Sequence, residues 1–494
     1  MKRDIREGMY FRDVVFAVAG GVLFSSSQPP FFTTFLAYFC VVPLLFVLRD
    51  KNYRSAFMLT YIWGFTSNLL SLYWIALPTV AGMIGAVLIL SLYNGLFGVV
   101  FSFIERRNLP LALAAAPILW TGMEFLRGFG RIGFPWMDIG YTQGPYIVII
   151  QMADIIGHRG ISFWVIVINI LIASIAISEK RKWTFGLALL VVFAIPIGYG
   201  IWRLKQPPAG ENIRIALMQG NISADLKWSG RFRRKNIDYY AAMIDSIGEK
   251  VDLIVLPETA TAYYHRNHPE IVADLAAASE RAGAPILTGT LDFDPADRKN
   301  FYYNAAMVIT STKVAGVYHK MNLVPMSEQI PFQDIFPFLK KIDLGGSHFA
   351  RGKKAVVFDV DGMKFSSPIC YEVLFGRSAR RFALNGARFL ANITNDGWFG
   401  TTPGPFQHAN FCRFRAVENR FGIGRSAQTG ISLIVDERGR MVGKIPLNTK
   451  GILVGDIPLN ERTTFFTRIG DWVGTGSVFA SPILLLLASL FKKI

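Results

Sequence analysis

Cysteine and histidine are both scarce in this chain, which limits the chemistry that it can support. The 494 residues include 3 cysteines, Cys40, Cys370 and Cys412, which suggest no disulfide framework. Cys40 lies in an apolar run and Cys412 in a predicted helix, where packing is the expected role. The histidines of His265-Arg-Asn-His268 lack a third ligand at a recognisable spacing, so no metal site is predicted.

Charged residues are also few, and they are distributed unevenly. They make up 18% of the chain, against 52% hydrophobic residues, with a formal net charge of +17. Residues 1–203 and 474–494 contain long apolar runs, whereas residues 211–462 have the composition of a soluble domain. Many basic residues sit in short loops between the runs, which favours a membrane topology signal over a nucleic-acid site. The sequence therefore predicts a membrane protein that carries one globular domain.

Eight apolar segments are predicted to cross the membrane, since a crossing helix needs about 20 mostly apolar residues. Seven form a membrane domain over residues 1–203, and the eighth follows the globular domain of residues 211–462, within residues 474–494. The predicted spans are Val14–Ser26, Phe31–Leu48, Ala56–Leu77, Val80–Ile104, Leu111–Met123, Ile161–Ser178, Trp183–Trp202 and Ser477–Phe491.

The basic residues of the loops predict how these spans are oriented. One side of the membrane collects Lys2, Arg3, Arg6 and Arg12, then Arg49, Lys51 and Arg54, then Arg106 and Arg107, then Lys180, Arg181 and Lys182, then Lys492 and Lys493. The short loops on the opposite side, at 27–30 and 78–79, carry no charge. By the positive-inside rule both termini are cytoplasmic and the globular domain is extracytoplasmic. A cleaved signal peptide is the alternative for the first span, but the charge alternation continues without interruption from Lys2.

The globular domain alternates short apolar strands with helical periodicity, which predicts an α/β fold with a largely buried sheet. Three strands end in a polar residue: Glu258, Lys320 and Cys370. Each alone is compatible with a rim or packing residue. Because strand ends on one edge of an α/β sheet commonly converge on a cleft, the three together predict an acyl-transfer site. The carboxylate would accept the thiol proton, the thiolate would attack a carbonyl, and the ammonium would stabilise the oxyanion.

The motifs around these residues resemble the Glu-Lys-Cys signature of the nitrilase, or carbon–nitrogen hydrolase, superfamily. They are Leu256-Pro-Glu258-Thr, His319-Lys320 with Glu328 eight residues later, and Pro368-Ile-Cys370-Tyr-Glu372. Two further motifs, together with the eight spans, make nearly the whole chain resemble the bacterial apolipoprotein N-acyltransferase family. These are Asn392-Ile-Thr-Asn-Asp-Gly-Trp398-Phe-Gly and Gly404-Pro-Phe-Gln-His408.

The resemblance implies a fold, a reaction and a location. The fold is an α-β-β-α sandwich on the periplasmic face of the bacterial inner membrane. The reaction is the last acylation of lipoprotein maturation, with Glu258, Lys320 and Cys370 as catalytic residues and no cofactor or metal. An acyl chain would pass from a membrane phospholipid to a Cys370 thioester. It would then pass to the α-amine of a lipoprotein's S-diacylglyceryl cysteine, in a ping-pong sequence.

The resemblance also assigns supporting residues. Glu328 and Glu372 match acidic positions that would orient Lys320 and the nucleophile. Residues at the substrate site would be Trp228, Tyr371 and Trp398, with core or rim packing as the alternative.

A lid is predicted separately, from the composition of residues 331–350. Phe332, Phe336 and Phe338 with flanking lysines suit a segment that covers the site at a membrane surface, and a plain surface loop is the alternative.

Two other functions remain open from the sequence. A membrane-tethered amidase or nitrilase would use the same residues with water as the second nucleophile and a small amide or nitrile as substrate. A transporter or receptor would use the globular domain only for binding. Charged residues within the spans would favour the transporter, and the apolar runs contain almost none.

Overall fold

The computed structural model describes residues 8–207, 210–223, 226–227, 230–293, 302–333, 335–336, 338 and 349–491. Contacts within the chain divide it into two compact units. One unit comprises Met1–Ala76, Val80–Gln206 and Ile469–Ile494, and the other comprises Leu77–Thr79 and Pro207–Arg468. We call the first the membrane unit and the second the catalytic unit.

The membrane unit is helical, and five of its described helices are long and apolar enough to cross a membrane. They are Val80–Glu105, Leu109–Arg127, Ala153–Ile177, Lys182–Leu204 and Trp472–Ser489. The other predicted spans correspond to the helix Phe11–Ser26, to a 3-10 turn Thr34–Tyr38 followed by the helix Val42–Leu48, and to the helix Tyr53–Leu72. The structure therefore confirms several helices that are apolar enough to cross a membrane, whereas the full set of eight spans stays a prediction.

Buried ion pairs connect the helices of the membrane unit, which the apolar sequence pattern did not indicate. Arg127 Nη2 lies 3.0 Å from Asp138 Oδ1, and His158 Nε2 lies 3.1 Å from Asp138 Oδ2. Arg159 Nη1 lies 2.6 Å from Asp471 Oδ2, immediately before the last helix. The scarcity of charge in the spans was an argument against a transporter, and these buried pairs weaken that argument.

The first sheet of the catalytic unit has six strands in the order β12-β1-β2-β3-β4-β5. Their bounds are β1 Asn212–Gln219, β2 Leu253–Val255, β3 Ile286–Phe293, β4 Tyr302–Ile309, β5 Val314–His319 and β12 Gly451–Pro458. Strands β1, β2 and β3 are parallel, and β4 and β5 add two antiparallel steps. Strand β5 therefore runs in the same direction as β2, and both strands end at the same edge of the sheet.

The second sheet has six strands in the order β11-β10-β9-β8-β7-β6, with β7, β8 and β9 parallel. Their bounds are β6 Phe358–Val360, β7 Met363–Ser366, β8 Phe389–Thr394, β9 Gly422–Ala427, β10 Ser432–Val435 and β11 Met441–Ile445. Strands β6 and β7 form a hairpin through Asp361 and Gly362, which both have positive φ.

Apolar contacts between the two sheets form the centre of the catalytic unit. Gly424 of β9 is one point of close approach, since a Cβ there would lie 2.4 Å from Ile215 Cδ1 of β1. Helices cover the outer faces: Gly230–Asp245 and Pro269–Ala282 pack on the first sheet. On the second sheet lies the helix Gly404–Asn419. The fold confirms the predicted α/β class with two sheets, and it places the strand ends where a site can form.

Candidate active site

Glu258 and Lys320 both extend from the first sheet at the edge where its parallel strands end. Glu258 follows β2 by three residues, and Lys320 directly follows β5. The loop after β2 lies tightly on β3, where a Cβ at Gly289 would come within 2.3 Å of the Thr259 nitrogen. Only glycine allows this approach, so the backbone of Glu258 is fixed against the neighbouring strand.

The two side chains belong to a buried cluster of two carboxylates, one ammonium and one amide. Lys320 Nζ donates to Glu328 Oε1 at 2.8 Å and lies 3.5 Å from Glu258 Oε1. Asn304 Nδ2 donates to Glu258 Oε1 at 2.7 Å and to Glu328 Oε1 at 3.0 Å. The ammonium and the amide together compensate two carboxylates that would otherwise repel each other.

This pairing also determines the charge state of Lys320. Burial by itself lowers the pKa of the Lys320 ammonium, but the carboxylates of Glu328 and Glu258 outweigh that effect. The net result is a pKa above the usual lysine value, so Lys320 is a cation throughout the physiological pH range. A permanent buried cation is suited to stabilising a developing oxyanion.

Cys370 lies at the corresponding edge of the second sheet. Strand β7 ends at Ser366, before the predicted end at Cys370, and Ile369 bridges to Ile393 of β8. Cys370 itself begins a 3-10 turn with φ 50°, a left-handed conformation that is uncommon for a side-chain-bearing residue. The thiol is thereby turned out of the strand direction at the sheet edge.

Burial raises the pKa of the Cys370 thiol to about 12, and the charge of Glu258 adds to the rise while that of Lys320 opposes it. These interactions place the thiol in the electrostatic field of both predicted partners. The free enzyme therefore holds Cys370 as a neutral thiol at physiological pH. A base that accepts the proton during attack is needed to make it nucleophilic.

A fully buried network lies behind Cys370. His408 Nε2 is 3.1 Å from the Cys370 carbonyl oxygen, and its Nδ1 is 2.9 Å from Asp396 Oδ1. Arg425 donates to Asp396 Oδ2 at 2.7 Å and to Asn392 Oδ1 at 2.7 Å. The network contacts the backbone carbonyl of Cys370, so it can fix the position of this residue, and the charge of Asp396 adds to the rise in the pKa of the thiol.

Glu372 connects the two sheets. Its carboxylate accepts hydrogen bonds from the Tyr318 hydroxyl at 2.8 Å, from the backbone N–H of Met321 at 2.7 Å and of Asn322 at 2.9 Å, and from Ile369 N–H at 2.9 Å. These donors lie on both sides of Lys320 and just before Cys370. Glu372 therefore holds the ends of β5 and β7 together, consistent with its predicted orienting role.

The predicted substrate residues differ from one another in exposure. Tyr371 is buried, with its ring 5.1 Å from that of Phe375 at 81°. Trp398 is 49% exposed on the turn Asp396–Phe399, and Trp228 lies outside the described residues. Burial of Tyr371 fits a packing role as well as a substrate contact, whereas an exposed Trp398 is free to meet a ligand.

The three phenylalanines of the predicted lid are exposed, which is unusual for large apolar side chains on a soluble surface. Phe332, Phe336 and Phe338 are 36%, 50% and 64% exposed, and the rings of Phe336 and Phe338 are 6.0 Å apart. Residues 334, 337 and 339–348 of the predicted segment lie outside the described residues. The described part supports an apolar surface, and movement of a lid stays a prediction.

Sequence reasoning missed several residues that complete the site. Asn304 and Arg425 sit within strands, and their polarity at buried positions was the available signal. His408 and Asp396 appeared only as letters of a resembling motif, without a role. Lys227, which is fully buried beside Glu258, gave no signal in the sequence.

Comparisons with known families and proteins agree with this geometry. A family model described as the apolipoprotein N-acyltransferase N-terminal domain matches residues 20–171, and one described as carbon–nitrogen hydrolase matches residues 214–465. An apolipoprotein N-acyltransferase of Geobacter metallireducens is 32% identical over 98% of this chain and 96% of its own. One from Chlorobaculum tepidum is 30% identical over 93% of this chain and 92% of its own.

Solved structures were compared as well. A nitrilase-superfamily protein of Saccharomyces cerevisiae matches with a TM-score of 0.40 at 20% identity, covering 52% of this chain and 94% of its own. A carbon–nitrogen hydrolase superfamily protein of Xanthomonas campestris matches with a TM-score of 0.38 at 19% identity, covering 50% and 91%.

Proposed function

This chain belongs to the apolipoprotein N-acyltransferase family, and on that premise we propose how its catalytic unit transfers an acyl chain to a lipoprotein. It is a membrane protein of the carbon–nitrogen hydrolase superfamily, and it N-acylates lipoproteins. The observation that carries the proposed mechanism is the arrangement of Glu258, Lys320 and Cys370 at matching sheet edges, in one electrostatic environment.

The first half-reaction forms an acyl-enzyme. Glu258 accepts the proton of the Cys370 thiol, and the sulfur attacks the sn-1 ester carbonyl of a membrane phospholipid. The Lys320 ammonium stabilises the negative charge that develops on the carbonyl oxygen. The C–O bond then breaks, Glu258 returns its proton to the leaving alcohol, lysophospholipid departs, and a thioester remains on Cys370.

The second half-reaction releases the product. The α-amine of the S-diacylglyceryl cysteine at a lipoprotein's N-terminus attacks the thioester carbonyl, and Glu258 accepts a proton from the amine. Collapse of the tetrahedral intermediate breaks the C–S bond and forms an amide, and the thiolate recovers the proton from Glu258. An amide is far more stable than a thioester, so the sequence runs toward acylated lipoprotein.

The burial of the site supports transfer over hydrolysis. Cys370 is 8% exposed, and Lys320 is 1% exposed. Limited access for water protects a thioester until the amine arrives, and the low dielectric strengthens the interaction of Lys320 with the oxyanion.

The location of the reaction follows from the loop charges. We place both termini in the cytoplasm, eight spans in the bacterial inner membrane and the catalytic unit in the periplasm, on the basis of the positive-inside rule. Both substrates carry acyl chains, and each buried methylene contributes about 0.8 kcal/mol to binding. An acyl chain alone thus supplies much of the affinity, and the exposed phenylalanines at 332, 336 and 338 are proposed to contact it.

Intact-mass measurement tests the mechanism directly. The full chain, purified in detergent, is incubated with a phospholipid of defined acyl chains and no lipoprotein acceptor. The wild-type mass should increase by one long acyl group, located on Cys370 by peptide mapping, and Cys370→Ser should form no thioester. Cys412→Ser, at a fully buried cysteine outside the reaction, is the matched control and should still be acylated.

Two results would contradict the proposal. A long-chain adduct on Cys370→Ser would remove the thiol from the mechanism. Formation of the adduct followed by rapid hydrolysis, even when a diacylglyceryl peptide is present, would identify a hydrolase instead of a transferase.

A further inference from the structure

Lys227 is a buried ammonium that the mechanism above does not use. It is fully buried in the catalytic unit, and its Nζ donates to the Glu258 carbonyl oxygen at 2.8 Å and to the hydroxyl of Thr259. Lysine is almost never fully buried unless its charge is compensated. Its placement against the backbone of the proposed base therefore calls for a physical explanation.

The segment that Lys227 contacts is conformationally demanding. Thr259 has φ 45° and Ala262 has φ 53°, both in the left-handed region that side-chain-bearing residues seldom adopt. On its other side the segment lies against Gly289, with no room for a Cβ. Lys227 thus bonds to Glu258 and Thr259, two consecutive residues of a strained loop.

The Lys227 ammonium also interacts electrostatically with the Glu258 carboxylate. Burial lowers the pKa of the Lys227 ammonium to about 8, while the Glu258 carboxylate opposes that shift. Lys227 is therefore mostly protonated at neutral pH. The ammonium therefore donates charge-assisted hydrogen bonds to the Glu258 carbonyl and to the Thr259 hydroxyl, which are stronger than those of a neutral donor.

We propose that Lys227 is a positioning residue for Glu258: it fixes the backbone from which the carboxylate extends. The inference rests on the proposed function, in which Glu258 is the base. Lys320 and Lys227 then have separate tasks, since Lys320 Nζ lies 3.5 Å from Oε1 of the Glu258 carboxylate and Lys227 bonds to the backbone carbonyl of the same residue.

The experiment measures the rate of acyl-enzyme formation against pH by intact mass, for the full chain in detergent with phospholipid. Lys227→Met removes the charge and both hydrogen bonds at similar volume. Thr259→Ala removes one acceptor, and Thr259→Ser restores it. Lys51→Met is the matched control, because Lys51 is also a buried lysine, paired with Asp13 at 2.6 Å in the membrane unit.

Lys227→Met is expected to slow acylation about 100-fold, the size of effect that a small misplacement of a catalytic group produces. It should also remove the fall in rate above about pH 8, because the wild-type Lys227 ammonium, with a pKa of about 8, loses its proton and its charge-assisted hydrogen bonds there. Thr259→Ala should show a smaller loss that Thr259→Ser largely reverses. Lys51→Met should lower the melting temperature and keep the fall in rate above about pH 8.

Other outcomes decide against the inference. If Lys227→Met scales the rate equally at every pH, or behaves like Lys51→Met, Lys227 is only structural. If Lys227→Met does not fold, the test relies on Thr259→Ala. A wild-type pH–rate profile of acyl-enzyme formation in that variant overturns the inference. A Glu258→Gln variant that acylates at the wild-type rate would instead refute Glu258 as the base. That result would contradict the proposed mechanism, and it is distinguishable from a failure of the inference about Lys227.

Discussion

The two sheets of the catalytic unit contribute to the site in different ways. The first sheet presents charged side chains, with Glu258 and Lys320 meeting Glu328 through a shared amide. The second sheet presents a single sulfur. Its own buried charges, Asp396 and Arg425, bond to each other, and the Asp396 charge adds to the rise in the pKa of the Cys370 thiol.

We expect the first sheet to control the reactivity of the site and the second sheet to control the position of Cys370. Side chains of the first sheet change the proton affinity of groups that react, so substituting them should mainly alter the rate. The buried network of the second sheet holds a backbone carbonyl, so substituting it should mainly alter stability. A reactive thiol at φ 50° needs such support, because a strained conformation persists only where the surroundings enforce it.

The largest effect on the rate is expected when a charged side chain of the first sheet is removed. Glu258→Gln removes the base but keeps the shape, and Lys320 retains its 2.8 Å contact with Glu328. The rate of acyl-enzyme formation should fall about 100- to 10,000-fold, the range for a lost general base. The melting temperature should stay close to that of the wild type. A large loss of stability with a normal rate per folded molecule would invalidate the division between the sheets.

The second sheet is tested by Arg425→Met, which leaves Asp396 as a buried carboxylate without its cation. The free energy of unfolding should fall by about 3–5 kcal/mol, as when one partner of a buried ion pair is removed. Denaturant unfolding of the purified protein measures it. Arg214→Met is the control, because Arg214 makes its ion pairs with Glu249 and Asp456 at the surface, and little change is expected. Equal effects of the two variants would show that the network is not stabilising.

The smallest effect on stability is expected at the exposed phenylalanines. Replacing Phe336 and Phe338 with serine should impair acyl transfer from phospholipid and leave the melting temperature unchanged, because both rings are at least half exposed. Replacing both with leucine keeps the apolar surface and should preserve most of the activity. Normal turnover in the serine variant would rule out a lid or lipid contact at this surface.

Part of the candidate site was predictable because its residues come shortly after strands: Lys320 follows β5 directly, Glu258 follows β2 by three residues, and Cys370 follows β7 by four. Glu258, Lys320 and Cys370 each stand at a change from apolar strand to polar loop, which is a local signal. Glu372 came from the motif around Cys370, although its bonds to Tyr318 and to two backbone N–H groups after Lys320 were not predictable. Those partners depend on the pairing of separate sheets.

The ion pairs of the membrane unit are a second example of contacts that the sequence pattern could not predict. Arg127 and Arg159 lie outside the predicted spans, because the apolar window Leu111–Met123 ends before Arg127 and the window Ile161–Ser178 begins after Arg159. The structure puts them in the helices Leu109–Arg127 and Ala153–Ile177, where Asp138 and Asp471 neutralise them. Hydropathy averages over a window, so it cannot register charges that a partner elsewhere in the chain compensates.

The sequence by itself determined which parts of this protein are apolar helices, which part is a soluble α/β domain, and which family the motifs belong to. These are properties of neighbouring residues, such as hydrophobic period, turn residues and runs of fixed spacing. Only the tertiary structure decided that Asn304 joins two carboxylates and that Lys227 donates a hydrogen bond to the Glu258 carbonyl. Such contacts join residues separated by 24 to 46 positions, and a chain acquires them only when its strands take their order in the sheet.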